Sequence, residues 1–137
     1  MRIVFGTDEA TPVTSALRAH LAERGHDVVV LADGDDWPET GRWVGEAVAS
    51  GRADVGVACC WTGTGVSLAA NKVPGVRAAL CTDAETARGA RRWNDANVLA
   101  LGLRLTSEAL AAEIVDAFLE TPVDPGEAAT IARVEPG

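Results

Sequence analysis

Short apolar runs alternate with longer stretches whose apolar residues recur every three or four positions, and this continues almost to the end of the chain. Residues 2–6 form the first run, and Thr7, Asp8 and Glu9 follow as a strand-to-helix turn. Thr11 is placed to cap a helix with Pro12 in its first turn, and Val13, Ala16, Leu17 and Leu21 share one face until Gly25. Residues 26–31 read as a second strand and residues 32–36 as a polar loop. Trp37 and Pro38 then open a helix whose apolar face is Trp43, Val44, Ala47 and Val48. A third strand over 55–60 leads to a helix from about Gly65 to Val73, stopped by Pro74 and Gly75. A fourth strand over 76–81, a helix capped by Asp83 and ending near Trp93 and Asn94, a fifth strand over 98–102 and a helix marked by Leu110, Ile114, Ala117 and Phe118 complete the series. Strict alternation with short connections predicts an α/β fold in three layers, a doubly wound, Rossmann-like parallel sheet of about five strands in a single domain. Residues 1–122 make up that domain. Residues 123–137 carry few large apolar side chains and read as a C-terminal arm or tail.

The stretch over 54–77, DVGVACCWTGTGVSLAANKVPGVR, is the one to which chemistry points. Its compact apolar run marks a strand buried on both faces, and it stops at Trp61, Thr62, Gly63, Thr64 and Gly65. At the carboxyl end of a parallel strand, backbone N–H groups and the positive end of the next helix form a crevice suited to an oxyanion or a phosphate. Cys60 stands at that edge, where N–H donors favour a thiolate that acts as base or nucleophile. Cysteine is also among the most buried residue types, and the pattern alone leaves Cys60 open to either reading. Neighbours in a strand face opposite ways, so Cys59 lies away from the loop, and it and Cys81 read as core fillers. The loops after the first, third, fourth and fifth strands are expected to converge, bringing Asp8, Cys60, the glycine loop and Asn94 together. Asn94, at the far end of its helix, requires a partner subunit or a returning helix to get there.

Length and charge narrow the classes. The 137 residues suffice for one conventional core, and 12 basic against 20 acidic residues give a net charge of −8, which disfavours nucleic acid and anionic membranes. Arg88, Arg91 and Arg92 at helical spacing read as a solvated face or a dimer contact. Three cysteines without paired or metal-ligand spacing, and two histidines far from them in sequence, predict reduced thiols and neither metal nor cofactor. The N-terminus lacks the pattern of a signal peptide and no run reaches membrane-spanning length, so the expectation is a soluble, cytoplasmic protein.

The run CWTGTGVSLAANKVPGVRAAL, followed by NDANVLALG, closely resembles the sugar-phosphate isomerase family that includes type B ribose-5-phosphate isomerases and galactose-6-phosphate isomerase subunits. The family pattern C-G-T-G-x-G-x-S-x-A-A-N-K-x-x-G-x-R-A is met by Cys60, Thr62, Gly63, Gly65, Ser67, Ala69, Ala70, Asn71, Lys72, Gly75, Arg77 and Ala78. Gly6 to Asp8 and Asp36-Trp37-Pro38 resemble two further family pieces, and the likeness covers about residues 1–120. The resemblance implies a homodimer with its site near the dimer interface, and metal-independent aldose–ketose isomerisation through a cis-enediol. It implies Cys60 as the base between C1 and C2, Thr62, Gly63 and Gly65 as the loop that steadies the enediolate, Asp8 as a carboxylate near the ring oxygen, and Asn94 as a hydrogen-bonding residue. Asn71 and Arg104 enter the substrate-binding set in the same way. In members that use a glutamate from the loop instead, that position is Val66 here.

Departures from the pattern bear on the substrate. Glu9 replaces a histidine after Asp8, Trp93 replaces the histidine before Asn94, and Trp61 replaces the first loop glycine. In the tail, Glu127, Ala128 and Ile131 stand where many members carry arginine, histidine and arginine. Arg104 remains, and Arg133 is within reach of a shifted alignment. Trp61 and Trp93 either fill core space or present stacking faces to a sugar or a cation. The expected function is an isomerase of this type acting on a substrate other than ribose 5-phosphate, with Cys60, Asp8 and Thr62 catalytic and Glu9, Trp61, Gly63, Gly65, Asn71, Trp93, Asn94 and Arg104 binding substrate. The alternatives are a non-catalytic binding or regulatory homologue and one subunit of a heteromeric isomerase. A nucleotide-binding domain is disfavoured because G-x-G-x-x-G spacing is missing.

Overall fold

The computed structural model describes residues 1–135. Its elements are β1 (Arg2–Thr7), α1 (Pro12–Glu23), β2 (Asp27–Asp33), α2 (Trp37–Ala49), β3 (Val55–Cys60), α3 (Thr64–Asn71), β4 (Ala78–Leu80), α4 (Ala84–Asn94), β5 (Val98–Gly102) and α5 (Glu108–Glu120). All strand pairs are parallel, in the order β2-β1-β3-β5-β4. The chain moves from β1 outward to β2, then crosses to β3 on the other side of β1. This reversal opens a crevice at the carboxyl ends of β1 and β3.

Two cores sandwich the sheet. Phe5, Leu17, Val57, Leu99, Ile114 and Phe118 pack between the sheet and the face carrying α1, α4 and α5. Val4, Val44, Ala58, Val66, Ala70 and Val98 pack beneath α2 and α3. Cys59 belongs to the first core and Cys60 to the second, as strand alternation requires. The approach of α2 to α3 depends on Gly41, where a Cβ would lie 2.7 Å from both the Ala69 methyl and the Val66 carbonyl oxygen. α2 thereby holds its first residue, Trp37, over the start of α3.

Two elements differ from the sequence-based expectation. β4 is confined to Ala78–Leu80, because the Arg77 backbone N–H is taken by the Asn97 side chain, donating to Oδ1 (2.7 Å), instead of by a neighbouring strand. The stretch read as a tail carries a 3₁₀ turn at Pro125–Glu127 and a short helix α6 (Ala128–Ala132). It folds back on its own chain, with the Asp124 N–H donating to Arg92 O (2.9 Å) and the Gly75 N–H donating to Glu135 Oε1 (3.1 Å). No helix of the described residues is long and apolar enough to cross a membrane.

Candidate active site

β3 delivers Cys60 to the crevice with its side chain almost covered, 4% exposed. The chain then turns sharply, held against β5 by N–H donation from Leu103 to Cys60 O (2.9 Å) and from Arg104 to Trp61 O (2.8 Å). The turn closes at Gly63, whose φ of +77° lies in the left-handed region, and α3 starts one residue later. Among the described residues nothing accepts the backbone N–H groups of Thr64, Gly65 and Val66, the first turn of α3. These donors and the helix dipole make a site for developing negative charge.

A cleft of about 330 Å³ lies over this turn. Asp8 enters it from the end of β1, Cys60 and Trp61 from the end of β3, Thr62 from the turn, and Thr64, Gly65 and Leu68 from α3. Trp37 closes one wall from the start of α2. The indole of Trp37 lies directly over Gly65, where an added Cβ would stand 2.8 Å from its ring. A larger groove of about 530 Å³ runs beside the cleft between α2 and α3 and shares Trp37 and Leu68 with it. Its ionic groups, Arg42, Glu46 and Lys72, stand on exposed helix flanks. Only the smaller cleft joins a thiol, a carboxyl group, hydroxyls and backbone donors, so the chemistry belongs there.

Asp8 is fixed from below. Its N–H donates to Cys59 O (3.1 Å), while buried Thr7 braces the next residue, its Oγ1 donating to Glu9 O (2.7 Å) and accepting from Glu9 N–H (3.3 Å). Asp8 Oδ1 is buried and has no partner among the described residues. Burial raises the Asp8 pKa above the usual carboxylate range, and the charges of Glu9 and Asp36 raise it further. Complete burial also pushes the Cys59 thiol far up, and burial with the nearby Asp83 charge pushes Cys81 up to about 11. Among the described residues no group of three or more His, Cys, Asp or Glu is disposed to hold a metal ion.

Of the residues singled out in the sequence, Asp8, Cys60, Trp61, Thr62 and Gly65 line the cleft, and Gly63 shapes its floor. Glu9 and Arg104 sit exposed just outside, Glu9 beside Asp8 and Arg104 tied through its backbone to Trp61. Asn71 is a correction. Its amide clasps the backbone of Ala78, donating to O (3.0 Å) and accepting from N–H (2.8 Å), and so joins α3 to β4 instead of facing the cleft. Trp93 and Asn94 lie apart from the cleft of their own subunit, so any part they take in a site comes through a partner subunit. α4 runs antiparallel to the strands and ends at their amino edge, opposite the cleft, with Trp93 half exposed and folded over Gly89 of its own helix. Trp37, Thr64 and Leu68 are cleft residues that sequence reasoning passed over. Thr64 lay in plain view between two loop glycines, and Leu68 falls one helical turn after it.

The Ribose/Galactose Isomerase family model matches residues 3–135. The chain is 42% identical over 130 residues to the galactose-6-phosphate isomerase subunit LacB of Clostridium acetobutylicum, covering 91% of this chain and 75% of that one. It is 39% identical to ribose-5-phosphate isomerase B of Escherichia coli, covering 91% and 87%. The solved structure of Clostridium thermocellum ribose-5-phosphate isomerase B superimposes with a TM-score of 0.93 at 38% identity, covering 98% and 95%. The crevice between β1 and β3, with its cysteine and its glycine turn, is thus built on a shared scaffold, and this chain belongs to the ribose/galactose isomerase family, an intramolecular oxidoreductase of the sugar-phosphate isomerase type.

Proposed function

We propose that this protein interconverts an aldose and a ketose through a cis-enediolate held in the cleft, with Cys60 as the carbon base and a substrate other than ribose 5-phosphate. The observation that carries this reading is the placement of Cys60 beside the unpartnered N–H groups that open α3. Removing the C2 proton pushes an electron pair through C1 onto the carbonyl oxygen. Aimed backbone donors stabilise that oxyanion more than they stabilise the neutral sugar. Thr62 steadies the same oxygens, and the Asp8 carboxyl, its proton retained to higher pH by burial, is suited to donate to a ring or carbonyl oxygen.

The charge around the cleft sets the substrate. Among the described residues of this chain no cationic side chain lines it, and the charges of Glu9 and Asp36 act on Asp8. A phosphate dianion gains about 1.5–3 kcal/mol from each charge-assisted donor, so a site lacking several of them loses orders of magnitude in affinity. Trp61 and Trp37, 54% and 45% exposed, offer stacking faces instead. The favoured substrate is neutral or cationic at its far end and open-chain or easily opened.

Trp37, Trp61 and Leu68 present exposed apolar surface along the cleft, which supports a homodimer whose second subunit covers the site. The test is turnover of ribose 5-phosphate, unphosphorylated pentoses and hexoses, and amino sugars by wild type and Cys60→Ala. Activity on a sugar lacking phosphate, abolished in the variant, supports the reading. Ribose 5-phosphate turnover at about 10⁴ M⁻¹s⁻¹ or above refutes the substrate assignment. No turnover of any sugar, with retained small-molecule binding, favours a non-catalytic homologue or one half of a heteromeric enzyme.

A further inference from the structure

Isomerisation moves two protons, one between carbons and one between oxygens, and Cys60 accounts only for the first. Thr62 and Thr64 flank Gly63 at the turn, both line the cleft beside Cys60, and their hydroxyl oxygens lie 2.7 Å apart with either able to donate. That is the spacing of a good O–H···O hydrogen bond. It also matches the separation of the two oxygens of a cis-enediol, so the pair can lie alongside O1 and O2. Gly63 in its left-handed conformation is what turns the two side chains toward one another, and Thr64 is held as the first residue of α3.

We propose that Thr62 and Thr64 form a hydroxyl relay that passes a proton between O2 and O1 of the enediolate, with Thr64 a second oxygen-side residue of the reaction. This rests on Cys60 being the carbon base. From the aldose, Cys60 takes the C2 proton, the C2–H pair becomes the C1–C2 double bond, and the carbonyl pair moves to O1. The O2 proton passes to Thr64 Oγ1, the Thr64 proton to Thr62 Oγ1, and the Thr62 proton to O1. Each threonine ends with the one proton it began with, and only the direction of their mutual hydrogen bond is reversed. The O2 pair then forms the C2 carbonyl while the C1–C2 pair takes a proton at C1 from the Cys60 thiol, which exchanges with solvent in a fraction of turnovers. Because either hydroxyl can be the donor, the relay runs equally in both directions, as an isomerase near equilibrium requires. Cys60 is engaged with carbon, so the oxygen-side transfer falls to other groups, and a pair of hydroxyls held in place offers each oxygen its own partner.

The experiment uses the sugar that wild type turns over, in D2O, and reads deuterium incorporation at C2 separately from ketose formation. Thr64→Val preserves side-chain shape and removes the hydroxyl. It is expected to keep carbon exchange while losing isomerisation by about 10²-fold, the lower end of general acid–base effects, so the exchange-to-isomerisation ratio rises. Thr64→Ser should restore the wild-type ratio. A purely structural role for Thr64 lowers both rates together, and that result, or an unchanged ratio, overturns the relay. Wild type supplies a reading independent of any variant's folding. Ketose formation in H2O–D2O mixtures should fall along a bowed curve, reflecting several protons in flight, and a linear dependence overturns the proposal. Isomerisation that survives undiminished in Cys60→Ala instead refutes the Cys60 assignment, so the two failures are distinct.

Discussion

Replacing Gly63 with alanine tests how the turn is built. At φ +77° an alanine sits in the left-handed region at a cost of about 1–2 kcal/mol. Its Cβ would also lie 2.5 Å from Leu80 Cδ1 and 2.9 Å from the Gly102 nitrogen and the Leu101 carbonyl carbon. The leucine tip can yield but the β5 backbone cannot, and overpacking of this kind adds about 1–3 kcal/mol. The expected loss is therefore about 2–5 kcal/mol, a large share of the 5–15 kcal/mol typical of a folded domain. Gly51 is the internal control, because its φ is +80° and nothing lies within 4 Å of the added carbon. Gly51→Ala should lose only the conformational cost of about 1–2 kcal/mol. Urea unfolding of the two variants reads the difference, and activity at low denaturant should vanish in Gly63→Ala while surviving in Gly51→Ala. Equal loss of stability in the two would refute the claim that the turn is wedged against β5.

Iodoacetamide should label Cys60 before Cys59 or Cys81 in the native protein, since Cys59 is wholly enclosed and Cys81 is pushed up to about 11; peptide mapping that finds either of the other two first contradicts the site. Asp8→Asn should stabilise the fold increasingly as pH rises above the ordinary carboxylate range. A raised native pKa means the folded state binds the proton more tightly, so stability is lost as pH climbs through that pKa, and melting curves from pH 4 to 8 read the sign. Asn71→Ala should cost roughly 1–3 kcal/mol for two lost hydrogen bonds, and leave substrate affinity unchanged in the folded enzyme.

The sheet and its helices were legible because each element carries its own period, and the opposed faces of Cys59 and Cys60 follow from strand alternation alone. The meeting of Asp8 with Cys60 was legible too, since both end parallel strands and a reversal of strand order brings them together. The place of Asn94 at the far end of its helix was legible as well, and the direction of α4 sends it to the far edge of its own sheet, where only a partner subunit could bring it to a cleft. The place of Asn71 was not, because a side chain satisfying a neighbouring strand's backbone leaves no periodic trace. Trp37 was visible as a helix opener, but its role as a cleft wall arises from tertiary contact with Gly65, more than twenty positions away. Residues 123–135 read as a tail because they carry few large apolar side chains and their anchors are single hydrogen bonds, one from backbone to backbone and one to the Glu135 carboxylate, rather than buried apolar faces.

The central claim is that Cys60 moves a proton from sugar carbon, and exchange with solvent reads that event without depending on which product accumulates. Wild type and Cys60→Ser, incubated in D2O with each sugar of the panel and followed by proton NMR, give the comparison. The account predicts loss of the C2 proton signal with wild type on at least one sugar lacking phosphate, and none above background with Cys60→Ser at the same folded concentration. Exchange that persists undiminished in Cys60→Ser would contradict it.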